Sequence, residues 1–439
     1  MKLMDLIISG CAVIVLAGNL AAADAKKNLK LTLDRKDGIY RTGDEVKIAI
    51  SYAGEKQKPM QIVMTGSDGS SKRFDFPEVQ DRFAAKIQSS AVSFTVLVYF
   101  NADRKPIRKN GKSIAGETAS VGAVADPEKI RPGFQEPADF QQFWDAALAE
   151  LAKVPVKAKR KEIGVPKNVQ GRFQCWDVQV DCAGGVPVSG YLTMPVKAAP
   201  KSLPAVVSYH GAGVYSSWKS FTGGAIHFNI NAHGIENGRD KEFYLNLAKT
   251  ELADYRSRNA ADRDKFYFRN MFLRVKRSLD YVKTLPEYDG RTLIVTGSSQ
   301  GGAQSIAAAG LDPDVVLMQA CVPAMCDQGG VLAGRMAGWP KLLRIRDGKI
   351  QNPELKKSIP YYDMAFFARR IKGEACFTVG LIDRTCCPDS VFAAFNQIPG
   401  RKSIWTMPDQ GHVGYSSPIF TKRMQELIRQ AARKAAAAK

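Results

Sequence analysis

Apolar and polar positions change rhythm twice along this chain, and the two changes divide it into unlike parts. From about residue 30 to 121 the apolar positions alternate or form short runs, at 31–33, 46–50, 61–64 and 92–100. Turn signals separate them: Lys36-Asp-Gly38, Thr42-Gly-Asp44 and Gly66-Ser-Asp-Gly69. A period of two, broken at short intervals by Gly and Asp, predicts strands joined by tight turns, as in a small sandwich of immunoglobulin type. This stretch contains no histidine. It reads as a packing or spacer module, with carbohydrate contact or a lid over a site as the second reading.

The rhythm changes after a segment rich in Pro and charge, residues 123–137. Residues 139–151 place Phe140, Phe143, Trp144, Ala147, Leu148 and Leu151 on one helical face. Beyond it, strands and helices alternate. Residues 173–180 and 188–194 form an antiparallel pair across Ala183-Gly-Gly185, and 205–209 and 225–232 read as strands. A long helix covers 266–284; strands at 293–296, 315–320, 375–382 and 403–407 follow, with a closing helix from Pro418. Such alternation predicts an α/β fold, a mostly parallel sheet with helices on both faces and its site at the carboxyl ends of the strands. The domains expected are therefore a signal peptide over 1–25, a β-sandwich over 26–122, a linker over 123–137 and an α/β domain over 138–439.

The signal peptide rests on Lys2, the apolar stretch from Leu6 to Leu16 and Ala21-Ala22-Ala23. The apolar run is too short to span a bilayer comfortably and no later segment is a candidate, so an exported protein without a membrane span is expected. Ile8-Ser9-Gly10-Cys11 resembles a lipoprotein box, but apolar residues continue past the cysteine. Seven further cysteines (Cys175, Cys182, Cys321, Cys326, Cys376, Cys386, Cys387) lack the paired spacing of zinc knuckles; one or two disulfides would suit an oxidising compartment. The formal charge is +20, from 63 basic and 43 acidic residues, yet the basic residues are scattered rather than blocked with aromatics. That argues against nucleic acid and leaves weak attraction to an acidic polysaccharide.

The chemistry gathers at Gly297-Ser-Ser-Gln-Gly301, between the strand at 293–296 and a small-residue helix running to Gly310. Strand, Gly-x-Ser-x-Gly, helix is the layout of a nucleophile elbow, with Ser299 exposed at the helix N-terminus. A serine hydroxyl needs a base to take its proton and an acid to orient that base. In the α/β-hydrolase arrangement, which this elbow leads one to expect for the catalytic domain over 138–439, they follow in the order Ser, acid, His. Of His210, His227, His233 and His412, only His412 comes after Ser299. Asp383, at the end of the next-to-last strand, is the favoured acid; Asp327, one strand earlier, is the alternative, and Asp389 could hold the loop. The oxyanion donors expected are the backbone N–H groups of Gln300 and of Ala212 in His210-Gly-Ala-Gly213, with His210 bracing that loop. His227 and His233 have even spacing but no third ligand, so neither a metal nor a cofactor is expected.

Gly297-Ser-Ser-Gln-Gly-Gly302, Gly380-Leu-Ile-Asp383 followed by Cys387-Pro388, and Gly411-His412 together resemble the acetyl xylan esterase and cephalosporin-C deacetylase family (carbohydrate esterase family seven). Asp139-Phe-Gln-Gln-Phe-Trp144 is similar to that family's N-terminal helix, and the likeness covers about 126–432. It implies Ser299, Asp383 and His412 as triad, Ala212 and Gln300 as oxyanion donors, and metal-free removal of acetyl groups from xylan or its oligosaccharides. Two motifs depart: His233-Gly234-Ile235 stands where the family has Arg-Gly-Gln, and His412-Val413 where it has His-Glu. These touch the loop supports and the family's ring-shaped assembly and leave the triad in place. The expectation is a secreted serine esterase for an acetylated polysaccharide. A peptidase of prolyl-oligopeptidase type is the nearest rival, although about ninety residues are too few for its propeller. A non-catalytic carbohydrate-binding protein on the same scaffold is the rival from another class.

Overall fold

The computed structural model describes residues 28–437, so the expected signal peptide and Cys11 lie outside the described residues. The chain opens in two layers. One sheet pairs β1 (Leu29–Leu33), β3 (Glu45–Tyr52) and β6 (Arg82–Lys86). The other runs in the order β2 (Ile39–Tyr40), β10 (Gly116–Ala125), β7 (Ala91–Tyr99), β4 (Met60–Gly66), β5 (Ser71–Phe76). Both layers are antiparallel except where β2 and β10 pair in parallel. A hairpin of β8 (Ile107–Lys109) and β9 (Lys112–Ile114) projects before β10. Strict alternation in β3 buries Val46, Ile48 and Ile50 against Ile62, Phe94, Val96 and Val98 of the facing sheet. This is the two-layer solution that a period of two demands.

β10 runs through Ala125, three residues past the expected domain boundary, so the segment 123–125 is strand rather than linker. Its small residues, Gly-Ala-Val-Ala, hid the strand in the sequence. They are small because they lie at the seam: Val124, together with Ala91, belongs to the core of the second domain.

That domain begins with α1 (Phe140–Ala152), whose stripe Phe140, Phe143, Trp144, Ala147 and Leu151 is buried as the spacing requires. The Trp144 indole N–H donates to the Tyr361 carbonyl at 3.0 Å, so the ring is buried without an orphaned polar group. The main sheet has nine strands: β11 (Ala158–Glu162), β12 (Phe173–Val180), β13 (Val188–Pro195), β15 (Ile226–Ile230), β14 (Leu203–Tyr209), β16 (Tyr288–Ser298), β17 (Val315–Cys321), β20 (Glu374–Gly380) and β21 (Lys402–Met407), in that spatial order. The first three pair antiparallel, and β15 through β21 are parallel. A two-residue hairpin, β18 (Ile345–Arg346) and β19 (Lys349–Ile350), decorates the loop before β20.

The helices are α2 (Lys241–Lys249), α3 (Tyr267–Lys283), α4 (Gln300–Leu311), α5 (Met364–Ala368), α6 (Pro388–Phe395) and α7 (Pro418–Ala437). Val206, Ile294, Leu317 and Cys376 meet Phe420 of α7 on one face. Their neighbours Ala205, Val207, Leu293, Val295 and Met318 share the other face with α3 and α4. Both faces are therefore covered, which explains why these strands read as apolar runs rather than alternating ones. From β14 the chain steps to β15 on one side and later to β16 on the other. The crevice at the carboxyl ends of β14 and β16 is thus a topological switch point, the usual place for a site in an open α/β sheet.

No helix among the described residues is long and apolar enough to cross a membrane. No disulfide joins the described cysteines, and all seven are buried.

Candidate active site

Ser299 stands between β16 and α4, at the helix N-cap, with φ 57° and ψ −120°, a strained conformation held in place by the chain around it. Its N–H donates to the Cys321 carbonyl at 2.9 Å, and its carbonyl accepts from Ala324 N at 2.9 Å. The elbow's glycines are forced by close approach. A Cβ on Gly297 would meet Gly301 backbone atoms at 2.4 Å, and one on Gly301 would meet the Tyr209 carbonyl oxygen at 2.1 Å.

His412 Nε2 lies 2.9 Å from Ser299 Oγ, and His412 Nδ1 lies 2.7 Å from Asp383 Oδ2. Asp383 is 2% exposed, and its other oxygen accepts from Thr385 N at 2.7 Å and Cys386 N at 3.0 Å. A buried carboxylate with one oxygen fixed by backbone donors presents the other to the imidazole in a single orientation. The arrangement lets the serine proton pass to Nε2 while Nδ1 keeps its own.

Asp327 does not join them: its oxygens take the Gly133 N–H at 2.6 Å and Arg335 Nη2 at 2.7 Å. Asp389 is fully buried in the first turn of α6, facing Ser67 and Ser90 of the β-domain, and burial raises its pKa. Cys386 has its sulfur close to Asp383 and His412, within 4.8 Å ligand to ligand. Burial pushes its thiol well above the ordinary range, so it offers a neutral thiol rather than the thiolate a metal prefers. A cation there would also have to break the His412–Asp383 bond.

The loop 210–213 lies beside Ser299: a Cβ on Gly211 would sit 3.9 Å from Ser299 Cβ. Ala212 is exposed, and Gln300 is the first residue of α4, where helical N–H groups have no intrahelical acceptor. Two neutral histidines fasten this loop. His210 Nε2 accepts from Ala232 N at 3.0 Å, which leaves Nδ1 to donate to the Gly211 carbonyl at 2.7 Å. His233 donates from Nε2 to the Gly213 carbonyl at 3.0 Å and pairs at Nδ1 with the Tyr267 hydroxyl at 2.8 Å. Burial lowers their pKa values to about 4 and about 3, which keeps both uncharged at neutral pH. His227 stays in β15 and pairs with the Thr222 hydroxyl, whereas His233 lies past the strand's end, so the two do not share a strand face.

Sequence reasoning missed Tyr255, in an irregular stretch without a motif. Its buried hydroxyl donates to Gln300 Oε1 at 3.0 Å and accepts from Gly213 N at 3.3 Å, joining the elbow to the loop. Gln304 adds a second tie, donating to the His210 carbonyl at 3.1 Å. Tyr255→Phe leaves a buried amide oxygen and a backbone N–H without this partner. We predict a loss of about 1–3 kcal/mol of stability in urea unfolding, with reduced kcat; an unchanged midpoint and rate would refute the role of the hydroxyl.

A mostly parallel sheet with a serine elbow at its switch point, and a histidine and an aspartate delivered from the last two strand ends, defines a carboxylic ester hydrolase of the α/β-hydrolase fold. Within that class, the family model described as acetyl xylan esterase (AXE1) matches residues 125–428, and the chain belongs to that family. It is 31% identical over 308 residues to the acetyl esterase Axe7A of Xylanibacter ruminicola, covering 68% of each chain. Among solved structures it resembles acetyl xylan esterase 1 from Thermoanaerobacterium sp. JW/SL YS485, with a TM-score of 0.58 and 25% identity over 70% of this chain and 97% of that one. The acetyl xylan esterase from Paenibacillus sp. R4 matches in fold with a TM-score of 0.56 and 24% identity, over 69% of this chain and 98% of that one. The family match begins at the end of β10, so the β-domain lies outside it.

Proposed function

We propose that this is an exported serine esterase that removes acetyl groups from xylan or related polysaccharides through an acetyl-Ser299 intermediate. The observation that carries the reading is the hydrogen-bonded chain from Ser299 Oγ through His412 to Asp383. His412 Nε2 takes the Ser299 proton as Oγ attacks the acetyl carbonyl carbon. The carbonyl oxygen gains negative charge and is met by the N–H groups of Gln300 and Ala212. As the tetrahedral species collapses, the bond to the sugar oxygen breaks and His412 returns the proton to that oxygen. A water molecule then repeats the sequence: it gives a proton to His412, its oxygen attacks the acetyl-Ser299 carbonyl, and acetate leaves as Ser299 regains its proton. Asp383 keeps the imidazole in the tautomer with Nδ1 protonated and stabilises the imidazolium that forms.

Family membership and the acetyl esterase relative support acetate as the acyl group. The N-terminal pattern of Lys2, an apolar run and small residues supports export. The test is a panel of acetyl, longer-acyl and aryl esters on defined xylo-oligosaccharides. Acetate release that falls as the acyl chain lengthens supports the reading, as does an acetyl adduct on the Ser299 peptide after acid quenching. A preference for aryl or long-chain esters overturns the substrate assignment, and amide cleavage without ester preference favours the peptidase reading.

A further inference from the structure

The β-domain reaches the two turns that deliver the acid and the base. Gly122 of β10 donates its N–H to the Pro408 carbonyl at 2.8 Å, and Pro408 begins the turn leading from β21 to His412. Gly122 also lies so close to the turn after β20 that a Cβ there would meet the Leu381 carbonyl oxygen at 2.2 Å. Gly38, with φ 68°, packs against the same pair. A Cβ on it would fall 2.5 Å from Leu381 Cδ1 and 3.2 Å from Pro408 Cγ. Leu381 is 2% exposed and stands two residues before Asp383. Val124 N donates to the Gly38 carbonyl at 2.9 Å, which ties the two glycine segments together.

On the hydrolase side the two turns are themselves joined. Leu381 N donates to the Met407 carbonyl at 3.0 Å and Ile382 N to the Gln410 carbonyl at 3.2 Å. Backbone so interlocked moves as one piece, and the β-domain forms its backing. Elsewhere along the seam Met336 N donates to the Ser67 carbonyl at 3.0 Å, and Asp389 of α6 faces Ser67 and Ser90. A spacer on a linker would have few contacts crossing the boundary. This domain shares a core and backbone hydrogen bonds with the turns that matter.

We propose that the N-terminal β-domain is a positioning element of the active site, in which Gly38 and Gly122 hold Leu381 and Pro408 and thereby the Asp383–His412 hydrogen bond. The proposal rests on the reading of Ser299, His412 and Asp383 as the catalytic relay. Glycine at both positions follows from the closeness of this backing: no side chain fits between the β-domain and the turns.

The test uses the full chain. In Gly122→Val the new Cβ collides with a backbone oxygen, which has no rotamer to escape into, so the turn carrying Asp383 must shift. The expected result is a fall in kcat on an aryl acetate of about 10- to 100-fold, the scale of a misplacement on the order of 1 Å. KM should stay near its wild-type value, and the low-field proton resonance of the His412–Asp383 hydrogen bond should broaden or move. Gly38→Ala should lower kcat less, and adding Leu381→Val should restore part of the loss, because the obstructing atom is the leucine Cδ1. Ile48→Ala, in the sandwich core away from the seam, serves as the stability control: it should lower Tm and leave kcat and the resonance unchanged.

Wild-type kcat and resonance in Gly122→Val overturn the proposal, as does an Ile48→Ala variant that loses kcat equally. If Gly122→Val does not fold, the Gly38 and Leu381 set decides alone, and an unaffected Gly38→Ala overturns it. Ser299→Ala in the same series reports separately on the underlying relay.

Discussion

Ser299→Ala is expected to lower kcat for a chromogenic acetate by about 10⁶-fold, the scale seen when a nucleophile that acts as one unit with its base is removed. Folding should be nearly unaffected. The hydroxyl makes its hydrogen bond to His412 at a partly open surface, and alanine can occupy the same backbone position at a comparable cost for φ 57°. Far-UV circular dichroism and Tm would therefore match the wild type while hydrolysis disappears. Slow residual turnover through direct water attack, assisted by the Gln300 and Ala212 N–H groups, is compatible with this mechanism. Hydrolysis at the wild-type rate would remove Ser299 from the reaction. The variant also separates the two classes of function, since a binding protein on this scaffold would show no acetyl adduct on Ser299 in the wild type either.

The elements that were legible in the sequence are those whose periodicity is set by one buried face. α1 announces itself through Phe140, Phe143 and Trp144, and β3 through Val46, Ile48 and Ile50, because each buries a single side and exposes the other. The elbow was legible for a different reason: close backbone packing at Gly297 and Gly301 admits nothing larger, so the motif is written in residue identity. β11 was not legible. Ala158-Lys-Arg-Lys-Glu162 is an edge strand exposed at every position, and its pairing with β12 leaves no hydrophobic trace. The end of β10 leaves no sequence signal because residues flat enough to touch the turns after β20 and β21 look like linker. Tyr255 and His233 act through hydrogen bonds to a loop distant in sequence, and no local pattern encodes such contacts. His233 also shows how one family motif is replaced: it fastens the Gly213 carbonyl from the position where the family carries arginine.

Strand order favours Asp383 over Asp327 as the acid, and one substitution at each should separate them. In Asp383→Asn the amide oxygen can keep the Thr385 and Cys386 N–H groups, which places the amide nitrogen toward His412 Nδ1. That nitrogen is a donor, so Nδ1 must become the acceptor and the ring proton moves to Nε2. An imidazole protonated at Nε2 cannot take the Ser299 proton, and kcat is expected to fall by about 10⁴-fold with little change in fold, the cost of a wrong tautomer in such a relay. Asp327→Asn leaves the imidazole untouched. Its effect should appear in stability, because Arg335, whose side chain is 15% exposed, loses its charge partner, and kcat should remain close to wild type. Measuring kcat and Tm for both variants distinguishes the assignments. If Asp327→Asn loses catalysis and Asp383→Asn retains it, the hydrogen bond at 2.7 Å between His412 and Asp383 is not the one that orients the base.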